Sequence, residues 1–214
     1  MKFTPDDLRV LRDILRWRRD VRHFRADPVP PEVLAGLEAA MTLAPSVGNA
    51  RPWRVMRVRD AARRAEIIRI FEGCNQRAAR DYDAATRADY LQLKLAGLRE
   101  APEHLAVFTL ADPDEGRGLG RQTMPETLRL STAMAIHTLW LAARAENLGL
   151  GWVSILDPAA VAQALSAPRG WEFTAYLCLG YPEFTDDTPL LHRNGWQENR
   201  NPGWIDCPPH AKGP

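Results

Sequence analysis

The longest patterned stretch of the chain is residues 125–155, which read PETLRLSTAMAIHTLWLAARAENLGLGWVSI. A proline followed by an acid is typical of a helix start, because proline fits the first turn and negative charge suits the N-terminus. Apolar residues then recur at helical spacing as far as Glu146, and Gly149 is the predicted stop. Residues 152–155 follow as a short strand. This region therefore predicts a protein that combines helices with a sheet.

The segments on either side of this stretch extend the same pattern. Thr4-Pro5-Asp6-Asp7 combines a capping hydroxyl, a proline and early acids, which indicates a helix start. Helices are predicted through Val33, Leu37 and Met41, over 61–99 as two helices, and over 158–166. Strands are predicted at 53–58, 105–110 and 174–179, and a loop at 112–122. We expect one α+β domain over residues 1–214 with four or five strands.

The end of the chain differs in composition from the rest. From about residue 181 to residue 214 it is rich in Pro, Asp, Asn and Trp. Such a segment cannot bury much apolar surface within one subunit, so we expect an extended tail that wraps around a partner.

Composition excludes several classes of protein. The 28 positive and 27 negative charges nearly cancel, which gives no reason to expect nucleic-acid binding. No apolar stretch approaches the length of a membrane span, and the N-terminus lacks the apolar core of a signal peptide. Three scattered cysteines indicate reduced thiols in a cytoplasmic protein, and five scattered histidines lack metal-ligand spacing. We expect no metal, no membrane and no nucleic acid.

A basic cluster occupies residues 16–25, RWRRDVRHFR. Arg18, Arg19 and Arg22 come together near a predicted helix end, where guanidinium and backbone donors can hold a phosphate. Asp20 is the single acid within the cluster. Two other interpretations stay open: a solvated helix face with Asp20 paired to an arginine, or a nucleic-acid patch with interleaved aromatic residues.

Two loop motifs have the composition of a ligand site. Residues 44–53, APSVGNARPW, place Ser46 in a flexible turn where its hydroxyl can face a flat polar ligand. Residues 149–155 place Gly151 where a ring system can approach the backbone, and Ser154 where it can form a hydrogen bond. Taken alone, the first is better interpreted as an ordinary helix-to-strand loop. Neither a dinucleotide fingerprint, a serine-hydrolase elbow nor a P-loop is present.

Taken together, these motifs resemble the nitroreductase-like flavoproteins. The resemblance rests on RRDVR at 18–22, APSVG at 44–48 and PW at 52–53. The aspartate in the first motif, with four further segments, is similar to the 5,6-dimethylbenzimidazole synthases, or BluB family. Those segments are GRQTMPET at 120–127, LWLAARAE at 139–146, GLGWVSI at 149–155 and CLGYP at 178–182. The similarity runs from about residue 16 to residue 200.

The resemblance implies a nitroreductase-like fold, with a central, mostly antiparallel sheet flanked by helices. It also implies an intertwined homodimer with FMN at the interface. In the implied reaction, reduced FMN meets dioxygen and is fragmented to 5,6-dimethylbenzimidazole, the lower ligand of cobalamin. FMN is then the substrate, and a separate flavin reductase is a possible partner that supplies it reduced. The alternatives are an NAD(P)H-dependent nitroreductase or flavin reductase, and a non-catalytic FMN-binding protein.

The resemblance also implies roles for individual residues. Asp20 and Ser154 match the functionally important acid and hydroxyl, the first to accept a proton near the flavin and the second to hydrogen-bond its edge. The helical stretch from Tyr90 to Ala101 matches a lid that excludes water, and an ordinary surface helix is the alternative interpretation. The residues implied to bind the cofactor are Arg18, Arg19, Asp20, Val21, Arg22, Ser46, Lys94, Leu95, Gly151, Ser154 and Arg200. An extra residue between Trp196 and Arg200 departs from the family's C-terminal pattern.

Overall fold

The computed structural model describes residues 1–93 and 95–207. Its helices are α1 (Pro5–Trp17), α2 (Pro31–Met41), α3 (Ala61–Arg80), α4 (Ala84–Gln92), α5 (Thr127–Ala145), α6 (Pro158–Ala164) and α7 (Leu190–Arg193). Its strands are β1 (Trp53–Arg57), β2 (Glu103–Leu110), β3 (Gly149–Val153) and β4 (Trp171–Gly180). Short 3-10 turns occur at Val47–Asn49 and Glu115–Gly118. The predicted tail includes residues 208–214, which lie outside the described residues.

A four-stranded sheet of order β1-β2-β4-β3 forms the centre of the described chain. Every neighbouring pair is antiparallel. The two inner strands are continuous apolar runs because helices cover both faces of the sheet. One apolar cluster joins α2 and α5 to one face, and a second joins α3 and α6 to the other. The predicted α+β fold with an antiparallel sheet is confirmed.

The first helix confirms its predicted start and leaves its apolar face open. Thr4 caps α1, and its side chain accepts a hydrogen bond from the Asp7 N–H while the Asp7 carboxylate accepts one from the Thr4 N–H. No residue of α1 is buried, and Leu8, Leu11 and Leu15 are all exposed. An amphipathic helix derives most of its stability from packing, so this face is suited to a second surface.

The end of α5 differs from the prediction. The helix ends at Ala145, and Asn147 supplies the left-handed turn with φ 59°, a conformation that asparagine tolerates. Gly149 was the predicted stop, but it begins β3 instead. The strand therefore starts three residues earlier than predicted and ends at Val153, which leaves Ser154 just beyond it.

The helical region predicted over 61–99 is also shorter than expected. It does form two helices, but α4 ends at Gln92 and the chain then continues without helix. Gly97 lies so close to the Phe24 ring that a Cβ there would be 2.4 Å from a ring carbon. The last part of the predicted lid is therefore not helical and packs tightly on Phe24.

The described residues contain no membrane-spanning helix, no disulfide and no metal-binding cluster. None of their helices is both long enough and apolar enough to cross a membrane. The three cysteines, all within the described part of the chain, form no disulfide. No group of three or more His, Cys, Asp and Glu side chains is placed to hold a metal ion there.

A histidine is buried in the centre of the sheet. His104, on β2, is 1% exposed, and its Nδ1 lies 3.0 Å from the Tyr176 hydroxyl oxygen. Its Nε2 has no hydrogen-bond partner of good geometry among the described residues. Burial, and next the charge of Arg64, lower the pKa of His104 from 6.5 to about 4, although the Ala101 carbonyl offsets part of this effect.

This histidine predicts a loss of stability in mild acid. Between pH 6.5 and pH 4 the unfolded state binds more protons than the folded state. The free energy of unfolding should therefore fall by about 3 kcal/mol as the pH drops through this window. Urea denaturation across the window measures the loss. His104→Leu should flatten the dependence, whereas His137→Leu, at an exposed position of α5, should keep it. An unchanged slope in His104→Leu would contradict the assignment.

Candidate functional site

The basic motif leaves α1 and runs beside the edge strand of the sheet. The Arg18 N–H donates to the Ile14 carbonyl and ends the helix. The chain then becomes extended, and Asp20 forms a parallel bridge with Leu150 of β3. The Val21 N–H donates to the Leu150 carbonyl at 3.1 Å. The motif is thereby aligned against the predicted glycine-containing strand, 130 residues further along the chain.

Two glycines of β3 make this alignment possible. A Cβ on Gly151 would lie 2.1 Å from the Val21 carbonyl oxygen, and one on Gly149 would lie 2.7 Å from a Val21 methyl carbon. No side chain fits at either distance. The prediction that a ring system occupies the space over Gly151 is wrong for this side of the strand, because the Val21 backbone fills it. A ligand that contacts Gly151 must approach from another direction.

Asp20 is held from two sides. One carboxylate oxygen accepts a hydrogen bond from the Trp152 N–H at 2.8 Å. The other accepts one from Arg22 Nε at 2.8 Å. The side chains of Asp20 and Arg22 are 29% and 13% exposed. The carboxylate is therefore fixed in position yet open to a ligand on one side.

Arg18 and Arg19 lie beside α5. The Arg18 guanidinium carbon is 4.8 Å from the centre of the Trp140 ring, within the range of a cation–π contact. Arg19 donates to the carbonyls of Arg18 and Asp187, and the Trp140 Nε1–H donates to the Arg19 carbonyl at 3.2 Å. Burial, and next the charge of Arg18, lower the pKa of Arg19. An anion between these neighbouring cations would relieve their repulsion.

The motif lines a cleft between α5, β3 and the segment that follows β4. Its walls include five arginines and two aspartates, which leaves a positive balance suited to a phosphate. The cleft has a volume of 40 Å³. Pockets that enclose a whole small molecule have volumes of about 300 to 1,000 Å³. The cleft of one chain can thus seat one end of a larger anionic ligand.

The other predicted site residues lie outside this cleft. Ser154 is exposed, two residues beyond Trp152, and is therefore about 7 Å along the chain from the N–H that binds Asp20. Leu95 lines a separate 240 Å³ cavity against α3, and Arg200 is an exposed tail residue. Lys94 lies outside the described residues.

Ser46 lies at the opposite end of α5 from the arginines. Its hydroxyl accepts a hydrogen bond from the Arg51 N–H at 3.0 Å. The N–H of Val47, the residue after Ser46, donates to the Ser131 hydroxyl. Ser131 and Trp140 are nine residues apart on α5, which corresponds to about 14 Å along the helix. One chain does not bring Ser46 into the cleft.

The predicted lid lies between the basic motif and the tail. Its last part packs on the motif, because the bare side of Gly97 faces Phe24 and the Arg22 carbonyl. At its other end α4 contacts the tail through an aromatic cluster. The Trp196 ring centre lies 5.7 Å from that of Tyr82 and 6.2 Å from that of Tyr90. These contacts join the segment to the motif at one end and to the tail at the other, and its described residues do not line the arginine cleft.

Sequence reasoning missed three parts of this site. Trp140 lies within a segment that contributed to the resemblance, yet no pattern distinguished it from a core aromatic residue. The Asp187 carbonyl binds Arg19 across 168 positions of sequence. The Trp152 N–H binds Asp20 across 132 positions. A backbone group leaves no trace in the sequence, so local pattern cannot identify these two partners.

The chain is similar to known proteins over nearly its whole length. The chain is 58% identical over 204 residues to a 5,6-dimethylbenzimidazole synthase of Rhodobacter capsulatus, with 95% of this chain and 99% of the relative covered. It is 55% identical to the protein of the same name from Rhodospirillum rubrum, with 92% and 94% covered.

A solved structure supports the fold, and a family model identifies the family. An iodotyrosine deiodinase crystallised with FMN and 3-iodo-L-tyrosine matches with a TM-score of 0.74 at 24% identity, covering 94% of this chain and 100% of that one. At this identity the match establishes the fold. The model of the Nitroreductase family matches residues 15–181, which include the basic motif, the sheet and α5. The chain therefore belongs to the nitroreductase family.

Proposed function

We propose that this protein is a 5,6-dimethylbenzimidazole synthase that fragments reduced FMN with dioxygen. The observation that carries the proposal is Asp20, a carboxylate fixed by Arg22 and β3 at the mouth of a cleft lined with arginines. The level of identity to relatives that carry this name, over nearly the whole chain, supports the same assignment.

The arginines of the cleft suit the FMN phosphate. A phosphate is best held by guanidinium groups, which donate in pairs and stay charged. Arg18 and Arg22 are half-buried, and Arg19 already donates to a carbonyl that a phosphate oxygen can replace. Val21, between them, is fixed to β3 by its own N–H. The residue set therefore fits the group, with Arg18, Arg19 and Arg22 as its holders.

Bound FMN supplies the ring that reacts with dioxygen, and the chain supplies groups that position it and move protons. Asp20 faces the ligand side of the motif and accepts a proton from the ribityl chain. Its two hydrogen bonds keep the carboxylate in one orientation, which general-base catalysis requires. Gly151, Lys94 and Leu95 are the further ligand contacts that the family resemblance implies. Leu95 lines a separate cavity in this structure, so its contact requires the lid segment to move towards the cleft.

Ser154 acts as a hydrogen-bond donor at the flavin edge. It follows β3 directly, so the same strand that binds Asp20 determines its position. We expect Ser154→Ala to retain FMN and to lower the rate of benzimidazole formation by about a hundredfold, the usual effect of losing one preorganised donor. Thr42→Ala, which removes an exposed hydroxyl that does not line the cleft, is the control. An undiminished rate in Ser154→Ala would refute this role.

The site is completed by a second copy of the chain. The cleft is too small for a whole flavin, and Ser46 lies at the far end of α5. The exposed apolar face of α1 and the exposed tail residues Trp204 and Ile205 provide surface for an intertwined homodimer. In such a dimer the Ser46 loop and the tail, with Arg200, reach the flavin of the other copy. Sedimentation of the purified protein should give twice the chain mass.

The whole chain acts as one FMN-binding domain in the cytoplasm, with the segment from about 181 as its tail. A separate flavin reductase supplies reduced FMN. FMN is thus a substrate that is consumed.

One experiment separates this function from its alternatives. FMN is added to the purified protein and reduced chemically, air is admitted, and the products are separated by chromatography with mass detection. The proposal predicts that 5,6-dimethylbenzimidazole forms as FMN disappears. Steady NAD(P)H oxidation with intact flavin would instead indicate a nitroreductase or flavin reductase. Flavin that binds, reoxidises and survives would indicate a non-catalytic FMN-binding protein.

A further inference from the structure

A glycine-rich loop packs directly on the loop that carries Ser46. The glycine loop is residues 112–122, and the Ser46 loop is residues 44–52. A Cβ on Gly116 would lie 2.8 Å from the Gly48 carbonyl oxygen, and one on Gly48 would lie 2.9 Å from the Leu119 carbonyl oxygen. A Cβ on Gly120 would lie 2.9 Å from a methyl carbon of Val47. The two backbones approach each other more closely than any side chain allows.

Both loops need unusual backbone conformations for this contact. The left-handed residues in them are Gly48, Asn49, Arg51, Gly116, Arg117, Gly118 and Gly120. Glycine adopts this conformation without steric cost, whereas other residues do so only when their surroundings require it. Asparagine tolerates this conformation, so Arg51 is the residue that indicates that the Ser46 loop is held in its shape from outside.

The glycine loop is itself anchored. The Arg121 side chain, 18% exposed, pairs with Asp112 at 2.7 Å and donates to the Pro113 carbonyl at 2.9 Å. On its other side the Ser46 loop is tied to α5, because the Val47 N–H donates to the Ser131 hydroxyl at 3.0 Å. The Ser46 loop is thus held between a braced loop and a long helix.

We propose that the glycine loop positions the Ser46 loop for the flavin, with Gly116 and Gly120 as positioning residues. This inference rests on the proposed function, in which Ser46 contacts FMN. A hydroxyl must be held within a fraction of an ångström to act on a bound ring. Close backbone contact supplies that rigidity without long side chains, and it explains a glycine motif that holds no phosphate itself.

A matched pair of variants tests the inference. Gly116 and Gly118 both have φ 75°, but a Cβ on Gly118 would meet only the Arg121 Nε, at 4.0 Å. Gly116→Ala and Gly118→Ala therefore introduce the same backbone strain, and only the first pushes the two loops apart. We expect Gly116→Ala to weaken FMN binding by about tenfold or more and to change the visible circular dichroism of bound FMN. Gly118→Ala should leave the affinity and the spectrum unchanged.

A rescue guards against a variant that fails to fold. Gly120→Ala collides with a side chain, so Val47→Ala in the same chain removes the colliding methyl groups. The double variant should regain the FMN affinity and spectrum that Gly120→Ala alone loses, with Val47→Ala measured as the reference. Equal losses in Gly116→Ala and Gly118→Ala, or no rescue, would overturn the inference. Absence of FMN binding by the unaltered protein would overturn the proposed function. Normal FMN binding by the unaltered protein, with the variant results just described, would overturn only this inference.

Discussion

Asp20→Asn should retain FMN and lose benzimidazole formation by a factor of about 10² to 10⁴, the usual contribution of a positioned general base. Asparagine has nearly the same shape, and its carbonyl oxygen can still accept the Trp152 N–H. Its amide group cannot accept a proton and loses the charge that pairs with Arg22. The amide would present a donor to Arg22 Nε, so that one hydrogen bond is lost, whereas the contact with the Trp152 N–H and the arginines that suit the phosphate should stay in place. Fluorescence quenching measures FMN binding, and single-turnover chromatography measures the product.

The chain contains a matched control for this variant. Asp27 pairs with Arg25 Nε at 2.7 Å, which is the same two-residue spacing and the same type of contact as in the Asp20–Arg22 pair. Both Asp27 and Arg25 are exposed and lie away from the cleft. Asp27→Asn should leave FMN binding and product formation unchanged. Full product yield from Asp20→Asn, or an equal loss from Asp27→Asn, would show that the Asp20 carboxylate has no special role.

Gly151→Ala should cost about 3 kcal/mol of stability, the upper part of the range for inserting a methyl group into a packed interior. The added Cβ would lie 2.1 Å from the Val21 carbonyl oxygen. The backbone fixes the positions of both atoms, so no side-chain rotation can move them apart. The basic motif must then leave β3, which separates Asp20 from the Trp152 N–H. FMN binding should be lost together with stability. Urea denaturation and fluorescence quenching measure the two effects.

Gly36→Ala is the control for the glycine replacement. Gly36 lies within α2, and a Cβ there would meet no atom within 4 Å. Replacing glycine by alanine inside a helix should raise stability by about 0.5 to 1 kcal/mol and leave FMN binding unchanged. Equal stability of Gly151→Ala and the unaltered protein would contradict the close contact between Val21 and β3.

Much of the fold was predictable because its signals are local. The Thr4 cap depends on three neighbouring residues, and the apolar run of β2 shows directly that both of its faces are covered. Element ends were less predictable. Asn147, not Gly149, supplies the left-handed turn after α5. Gly149 instead lies in β3, where a Cβ would collide with the Val21 side chain. A glycine in the sequence can indicate a helix end, a turn or a close contact. Only its neighbours in the folded structure show which of these it is.

The sequence by itself determined the α+β class, the basic motif with its single acid, and a family resemblance that in turn implied an antiparallel sheet. Only the tertiary structure decided what these residues touch. It placed Asp20 on the Trp152 N–H and Arg19 on the Asp187 carbonyl, and it kept Ser46 away from both. Periodicity and motif composition are properties of near neighbours in the chain, whereas these contacts join segments more than a hundred residues apart. Such contacts depend on strand register and helix packing, which are settled when the whole core forms.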